Sequence, residues 1–379
     1  MNANAISAYF LRLGAIGFGG PIALVGRMHR DLVEERKWFS DREYREGLAL
    51  AQLAPGPLAA QLAMCLGWVR GGAWGAALAG AAFVAPSLLM VLAISVLYVR
   101  FGGMTWLQHA FYGVGAAVIA LIARSTVRLA RTTLGTDTLL WTLFAANAVV
   151  TAWTESELLW VIAVSGIVVT IARDRAGPRP ATGVATVVIP PWLATGVGVA
   201  DPGTIAEILW FFTKAGLVVF GSGLAIVPFL YGGVVESFGW LNEKQFLDAV
   251  AVSMLTPGPV VITVAFIGYL VAGFAGALAA AVGVFLPTYV VVVLAAPHFR
   301  RIANSERARA FVDGVTAAVT GALAGAVLVL GRRAIVDIPT AVLGVASLVI
   351  LMRWRRTSEP ALLLGAALAG VAVRNFAER

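Results

Sequence analysis

The chain has 379 residues, 60% of them hydrophobic and 13% charged, where a soluble domain carries about 25% charged residues, so most of it belongs in lipid. The formal charge of +8 does not mark a nucleic-acid binder, because the arginines stand at the ends of apolar stretches, where snorkelling and bilayer orientation account for them. One cysteine, Cys65, and three scattered histidines, His29, His109 and His298, rule out an intrachain disulfide and a thiolate metal cluster and suggest no metal site. No phosphate-binding loop, nucleophile elbow or zinc-protease motif occurs either.

Roughly 20 apolar residues make one helical span, and about twelve such segments are expected. The first, near 5–27, follows no basic leader and precedes no small-residue cleavage site, so no cleaved signal peptide is predicted. It carries Arg12 and, in its middle, Gly17-Phe18-Gly19-Gly20-Pro21. The second, 46–69, contains Pro55-Gly56-Pro57. Proline removes a backbone donor and clashes with the preceding turn, and glycine adds freedom, so no smooth helix runs through this triplet. Segments 74–99, 105–123, 138–153 and 157–172 have no comparable break. The stretch from Ala172 to Pro202, with Arg173, Arg175, Arg179 and five prolines, reads as a linker. Six more segments follow, near 205–229, 246–271, 275–296, 310–331, 334–352 and 360–373.

The second six repeat the first. Fourteen of the 48 residues from Phe10 to Pro57 recur in Phe212 to Pro259 at a constant offset of 202. Phe10, Gly14, Phe18, Gly19 and Trp38 match Phe212, Gly216, Phe220, Gly221 and Trp240, and the first triplet matches Pro257-Gly258-Pro259. Past Pro86 and Pro287 the repeat continues at offset 201, Gly113-Val114 matching Gly314-Val315. The expected organisation is a first transmembrane repeat over 1–172, a linker over 173–204 and a second repeat over 205–379. A duplicated apolar unit with broken helices is the layout of a secondary transporter.

Lys/Arg counts give orientation. The loop after the first segment holds Arg27, Arg30, Arg36, Lys37, Arg42 and Arg45, and its partner only Lys244. After the third segment the bias reverses: Arg100 against Arg300, Arg301, Arg307 and Arg309. Equivalent loops of opposite bias face opposite sides. Inversion needs an odd number of crossings per half, so one of six segments does not cross, and the Pro-Gly-Pro segment is the natural choice. The expected fold is an all-α integral membrane protein of two inverted-topology repeats, about five spans each, with a broken or re-entrant Pro-Gly-Pro helix in each half. The 27–45 loop, the linker and the 297–310 loop are then cytoplasmic and both termini outside. Arg332 and Arg333 fall outside and count against this scheme. Two full spans with proline kinks are the competing reading.

The breaks are the candidate site. Gly19, Gly20, Pro21, Gly221, Ser222 and Gly223 lie mid-segment, where glycines let backbone N–H groups approach an anion; close helix packing is the plainer explanation. Pro55, Gly56, Pro57, Pro257, Gly258 and Pro259 would each start a half-helix whose free N–H groups cradle an anion. Gln61 and its equivalent Thr263 stand one turn inside these half-helices, and Thr256 adds a hydroxyl. Arg12 and Lys214 are equivalent cations well inside apolar segments, at about 2.5–3.5 kcal/mol each, and an anionic substrate would justify them. Against that, Arg12 leans towards its helix N-terminus, away from Gly19. Glu46 and Asp248 are equivalent acids before the triplets, able to carry protons or to pair with Arg42 and Lys244.

At these residues the chain resembles the chromate ion transporter family. The resemblance rests on FGGP (18–21), Lys37-Trp38-Phe39 and APGPLAAQLAMCLGW (54–68), then on FGSGLAIVPFL (220–230), GWLNEKQFLDA (239–249) and LTPGPVVITVAFIGYLVAG (255–273). It covers nearly the whole chain. Two departures bear on substrate preference: Ala23 and Leu24 stand where the family often has a histidine, and Leu58-Ala59-Ala60 where it often has polar residues. The resemblance implies two halves of opposite orientation and export of chromate across the plasma membrane, giving chromate resistance without an enzymatic activity or a cofactor. A sulfate or other anion transporter shares the same charge and shape, and an intramembrane enzyme or lipid-handling protein is the reading of another class, against which no nucleophile–base pair is found. The sequence leaves the coupling ion and the oligomeric state open; a homodimer is compatible with it.

Overall fold

The computed structural model describes residues 3–18, 20–155, 159–174, 205–220, 223–298, 305–354 and 357–377. Among these the protein is helical, with no strand. Four helical stretches, Leu58–Phe101, Thr105–Thr133, Val260–Ala295 and Glu306–Ala334, are long and apolar enough to cross a bilayer. Trp74, Trp153, Leu89, Leu294 and Leu368 are each more than 65% exposed, an outward apolar surface that suits lipid and not water. This is an all-α membrane protein.

The first apolar segment is not one span. Helix α1 (Ala3–Ile16) ends before the Gly-Phe-Gly-Gly run, and α2 (Gly20–His29) starts after it and continues as a π turn, Arg30–Glu35. The Tyr9 hydroxyl donates to the Asp31 carboxylate at 3.1 Å, whereas a straight helix would hold the two roughly 33 Å apart at 1.5 Å per residue. The chain therefore folds back on itself. The second break makes a second hairpin. Helix α3 (Asp41–Leu53) starts at a capping box of Ser40 with Glu43 and stops at Ala54. Helix α4 (Leu58–Phe101) begins after Pro57 and turns sharply at Gly71 and Gly72 (φ +57°). A Cβ on Gly47 would touch Cys65, Leu62 and Leu66 at 3.5–3.8 Å, so α3 lies against the first arm of α4. Gly67 faces Gly75 across the turn. At the base, the His29 ring meets the Asp41 carboxylate at 2.9 Å; that bond, with Arg45 nearby, holds the carboxyl below its ordinary value. Three long helices complete the half: α5 (Thr105–Thr133), α6 (Thr138–Thr154) and α7 (Leu159–Asp174).

The second half repeats the plan. Helix α8 (Ile205–Val218) is followed by a short 3-10 turn, α9 (Val227–Tyr231) and a π turn, Gly232–Ser237. Phe211 stacks on Phe229 at 5.3 Å and meets Phe238 and Trp240 edge-on, so this pair folds back too. Helix α10 (Glu243–Leu255) starts at a second capping box, Asn242 with Gln245, at the offset of the first. A 3-10 turn (Val260–Ile262) leads into α11 (Thr263–Ala295), which turns at Ala272 and Gly273. Then come α12 (Glu306–Ala334), α13 (Ile338–Arg353) and α14 (Glu359–Ala377). Among the described residues each half shows two hairpins, where the sequence pointed to one, followed by four helical runs. The extra hairpin arises because the FGGP and FGSG breaks reverse the chain as the Pro-Gly-Pro breaks do.

The halves interlock. Helix α5 packs against α13 and α14, and its equivalent α12 packs against α6 and α7, while α4 lies on α11. Small residues permit the close crossings: Gly113 meets Gly370, and Gly321 and Gly325 lie on Phe144 and Ala148. Ion pairs join the halves at both ends of α12. Arg173 bridges Asp137 at 3.1 Å and Asp313 at 2.6 Å near its start. Arg333 near its end holds Glu155, Glu243 and the Tyr231 hydroxyl, with Glu236 at 3.4 Å.

Candidate anion site at four hairpin tips

The tips of all four hairpins share one cavity wall, and each half ties itself to the other there. The Gly56 N–H donates to the Val219 carbonyl at 2.6 Å, and the Gly258 N–H donates to the Gly17 carbonyl at 3.0 Å. These two bonds are equivalents under the repeat. The Ser87 hydroxyl of α4 adds a third link, to the Pro257 carbonyl at 2.7 Å. Both central glycines hold positive φ, +139° at Gly56 and +99° at Gly258. Their N–H groups, expected to face an anion, are committed to the opposite half.

The other expected polar groups are turned into the tips as well. Gln61 is fully buried and its amide donates to the Ala54 carbonyl at 2.9 Å, closing its own hairpin. Thr263 donates to the Val260 carbonyl at 2.8 Å and Thr256 to Ser253 at 3.1 Å. Arg12 is exposed on α1, pointing back from the tip as helical side chains do. Lys214 is half-buried with its ammonium 5.9 Å from the Trp210 ring. Gly19, Gly221 and Ser222 lie outside the described residues.

A cavity of about 100 Å³ opens where the tips converge. It is several times the ~10–15 Å³ that one water needs. Gly20 and Pro21 of the first tip, Pro57 and Leu58 of the second, Gly223 of the third and Pro259 with Val260 of the fourth all reach its wall. These are the residues at which α2, α4 and the two 3-10 turns begin. Helix starts carry N–H groups without intrahelical partners and the positive end of the helix dipole. The remaining wall comes from elsewhere. Ser125, Arg128, Leu129 and Thr132 lie on one face of α5, at helical spacing, and Glu359 begins α14. Arg12, Lys214, Gln61, Thr256 and Thr263 are not on this wall. Sequence reasoning missed Arg128 by ending the fourth segment at 123 and reading the arginines beyond as anchors. The i, i+3, i+4, i+7 spacing of Ser125, Arg128, Leu129 and Thr132 was the available signal.

A second cavity, about 910 Å³, lies at the far end of α5. His109 and Tyr112 line it from α5, Lys244 and Asp248 from α10, and Arg333 and Arg374 close it. Asp248 is 3% exposed and accepts the Tyr98 hydroxyl at 2.7 Å. Its equivalent Glu46 sits in a more open pair with Arg42 at 2.9 Å. Between the two cavities, residues 116–122 of α5 are all buried and apolar.

Among known proteins, the family model described as chromate transporter matches residues 5–170 and again 206–371. The chain belongs to the chromate transporter family. Family members of this two-half form are transporters, not enzymes. Similar proteins include the "Chromate transport protein" of Cupriavidus metallidurans, 55% identical over 368 residues, which cover 96% of this chain and 91% of that one. The "Probable chromate transport protein" of Synechococcus elongatus is 52% identical over 97% of this chain and 94% of its own. The "Chromate transport protein" of Pseudomonas aeruginosa is 33% identical over 98% and 92%. No solved structure matches this transporter.

Proposed function

We propose that the protein is a secondary transporter that exports chromate across the plasma membrane, and that it binds the oxyanion in the cavity at the four tips. The observation that carries this reading is the convergence of the starts of α2 and α4, two 3-10 turns and Arg128 on one small cavity. Backbone N–H groups of α2 and α4 would hold oxygens, and Arg128 would balance charge. The chromate names of the relatives, at 55% and 52% identity over nearly the full chain, support the substrate. Sulfate has the same shape and charge and is the alternative. Resistance to chromate would follow from export.

The inverted arrangement belongs to the same proposal, with repeats over 1–172 and 205–379 joined by 173–204. Tyr98, near the end of α4, reaches Asp248 on the entering arm of the fourth hairpin, and Glu155 at the end of α6 reaches Glu243 at that hairpin's base through Arg333. The base of the second hairpin lies at the other end of α4. The two pairs of hairpins are thus read as re-entrant from opposite membrane faces. Four unbroken runs per half then put the end of α7 and the start of α8 on opposite faces. In this reading Arg332 and Arg333 stay on the outer face, against the Lys/Arg bias. Cysteines placed in the 27–45 and 230–245 loops, in a Cys65→Ser background, should label from opposite sides of intact cells. Equal labelling would remove the inversion.

The two cavities, one at each end of α5 with an apolar plug between, are the access routes expected of alternating access. A dianion leaving a cell negative inside gains about 4.6 kcal/mol at 100 mV, from roughly 2.3 kcal/mol per charge. Proteoliposomes with a valinomycin-clamped potassium potential and no pH gradient should move labelled chromate towards the positive side. Glu46→Gln should leave this flux near wild type, given its open pair with Arg42, and Asp248→Asn should reduce it without abolishing it. Flux that ignores the potential and follows an imposed pH gradient would instead make the acids the coupling site. Absence of chromate and sulfate flux alike would overturn the transport reading.

A further inference from the structure

Among the described residues Glu359 is the one carboxylate on the wall of the tip cavity, and the cavity also carries Arg128. From Arg128 and Arg124, one turn apart on α5, come the cationic fields that act on it. The hairpin tips bring no ionisable side chain to this wall. Helix α14 packs against α5, α10 and α13. The ionisable groups of α10, Glu243, Lys244 and Asp248, lie in its first two turns, beside the second cavity at the opposite end of α5. From α13 the nearby charge is Arg353, exposed at its C-terminus. Among the described residues, Arg124 and Arg128 are thus the cations whose fields reach Glu359, and Arg128 shares with it the wall an oxyanion would meet.

We propose that Glu359 is an internal competitor of the oxyanion: its carboxylate balances the arginines of the empty site, and it must be protonated for the oxyanion to bind tightly. This rests on the tip cavity being the oxyanion site. The chemistry is a linkage and not a bond change. A dianion entering beside a carboxylate is repelled, and the two share the same cations. A neutral carboxylic acid removes the repulsion, frees the arginine charge and can donate its proton to an oxygen of the anion as a hydrogen bond. Binding and protonation then favour each other reciprocally. The sign follows directly. Below the carboxyl's own titration the site is ready; above it, affinity falls by up to about tenfold per pH unit, because each binding event has to draw a proton from a scarcer supply. The plainer role for Glu359 is a first-turn acid that stabilises the start of α14 against the helix dipole. That role changes stability and leaves the pH dependence of binding untouched.

The test compares chromate affinity of the purified full-length protein with that of Glu359→Gln from pH 6 to pH 9, by tracer binding in detergent. Chromate changes its own protonation over this range, but equally for both proteins, so the ratio of their Kd values isolates Glu359. Glutamine mimics the protonated acid. The ratio of wild type to variant should rise at least tenfold from the acid to the alkaline end of the range, with the variant binding more tightly at high pH. A ratio constant across the range overturns the proposal, including the case in which only the melting temperature changes. Arg128→Gln, measured alongside, separates the two failures. If it weakens binding while the ratio stays constant, the site stands and the competitor role falls. If it leaves chromate affinity unchanged, the cavity is not the site and the competitor role falls with it.

Discussion

Gly258→Val and Gly56→Val are expected to abolish transport and to lower the melting temperature of the purified protein. Two independent strains add at each position. The positive φ of +99° and +139° is backbone that a β-branched residue adopts only at about 1–3 kcal/mol. The space is also taken. A Cβ on Gly258 would stand 3.1 Å from the Ser87 Cβ, and one on Gly56 would stand 2.8 Å from the Thr288 Cγ2 and 2.9 Å from the Gln61 amide. Overpacking a full core contributes another ~1–3 kcal/mol. At Gly258 the displaced Ser87 is itself a link between the halves, through the Pro257 carbonyl, and at both positions the glycine N–H that binds across to the opposite half would be shifted. Pro57→Ala and Pro259→Ala keep the N–H bonds and the space, so they should be milder. Gly26→Ala is the control: nothing lies within 4 Å of its added Cβ, and alanine favours a helix over glycine by up to about 1 kcal/mol. Valine variants that melt and transport like wild type would show that the tips do not hold the halves together.

What the sequence carried was local and periodic. The constant offset located both Pro-Gly-Pro breaks. Proline and glycine act on their own turn, so their meaning survives without knowledge of neighbours. The reversal at FGGP and FGSG was not legible, because a run of glycines permits a straight close-packed helix as readily as a turn. Only contacts such as Tyr9 with Asp31, far apart in a straight chain, decide between them. Equivalence was also over-read. Glu46 and Asp248 match in sequence, yet one sits in a half-open surface pair and the other is buried under Tyr98. Duplication preserves position along the chain and leaves surroundings free to diverge. The cavity wall was hidden for a further reason. Arg128 and Glu359 are brought to the tips by α5 and α14, which pack on each other from different halves, and no spacing rule reports an exchange of that kind.

Arg128→Gln is expected to remove chromate transport, and Arg128→Lys to restore part of it, at normal levels of membrane protein. Arg12→Gln should leave transport largely intact. The two arginines look alike in sequence, each inside or beside an apolar segment. Their places differ. Both are exposed, but Arg128 is on the wall of the cavity where α2, α4 and the two 3-10 turns begin, while Arg12 is off that wall and leans from the tip towards the end of its helix. Hydrogen bonds to a charged partner contribute about 1.5–3 kcal/mol, which corresponds to roughly 10- to 150-fold in Kd. Arg128 is the one cation on the wall among the described residues, and because its side chain is exposed the effect should fall in the lower part of that range. Lysine keeps the charge and loses the planar fork that meets two oxygens at once, so a partial effect is expected of it. Tracer binding in detergent reports affinity, and chromate resistance of cells expressing each variant reports transport. Loss of both in Arg12→Gln, with Arg128→Gln close to wild type, would move the countercharge to α1 and take the oxyanion out of the tip cavity.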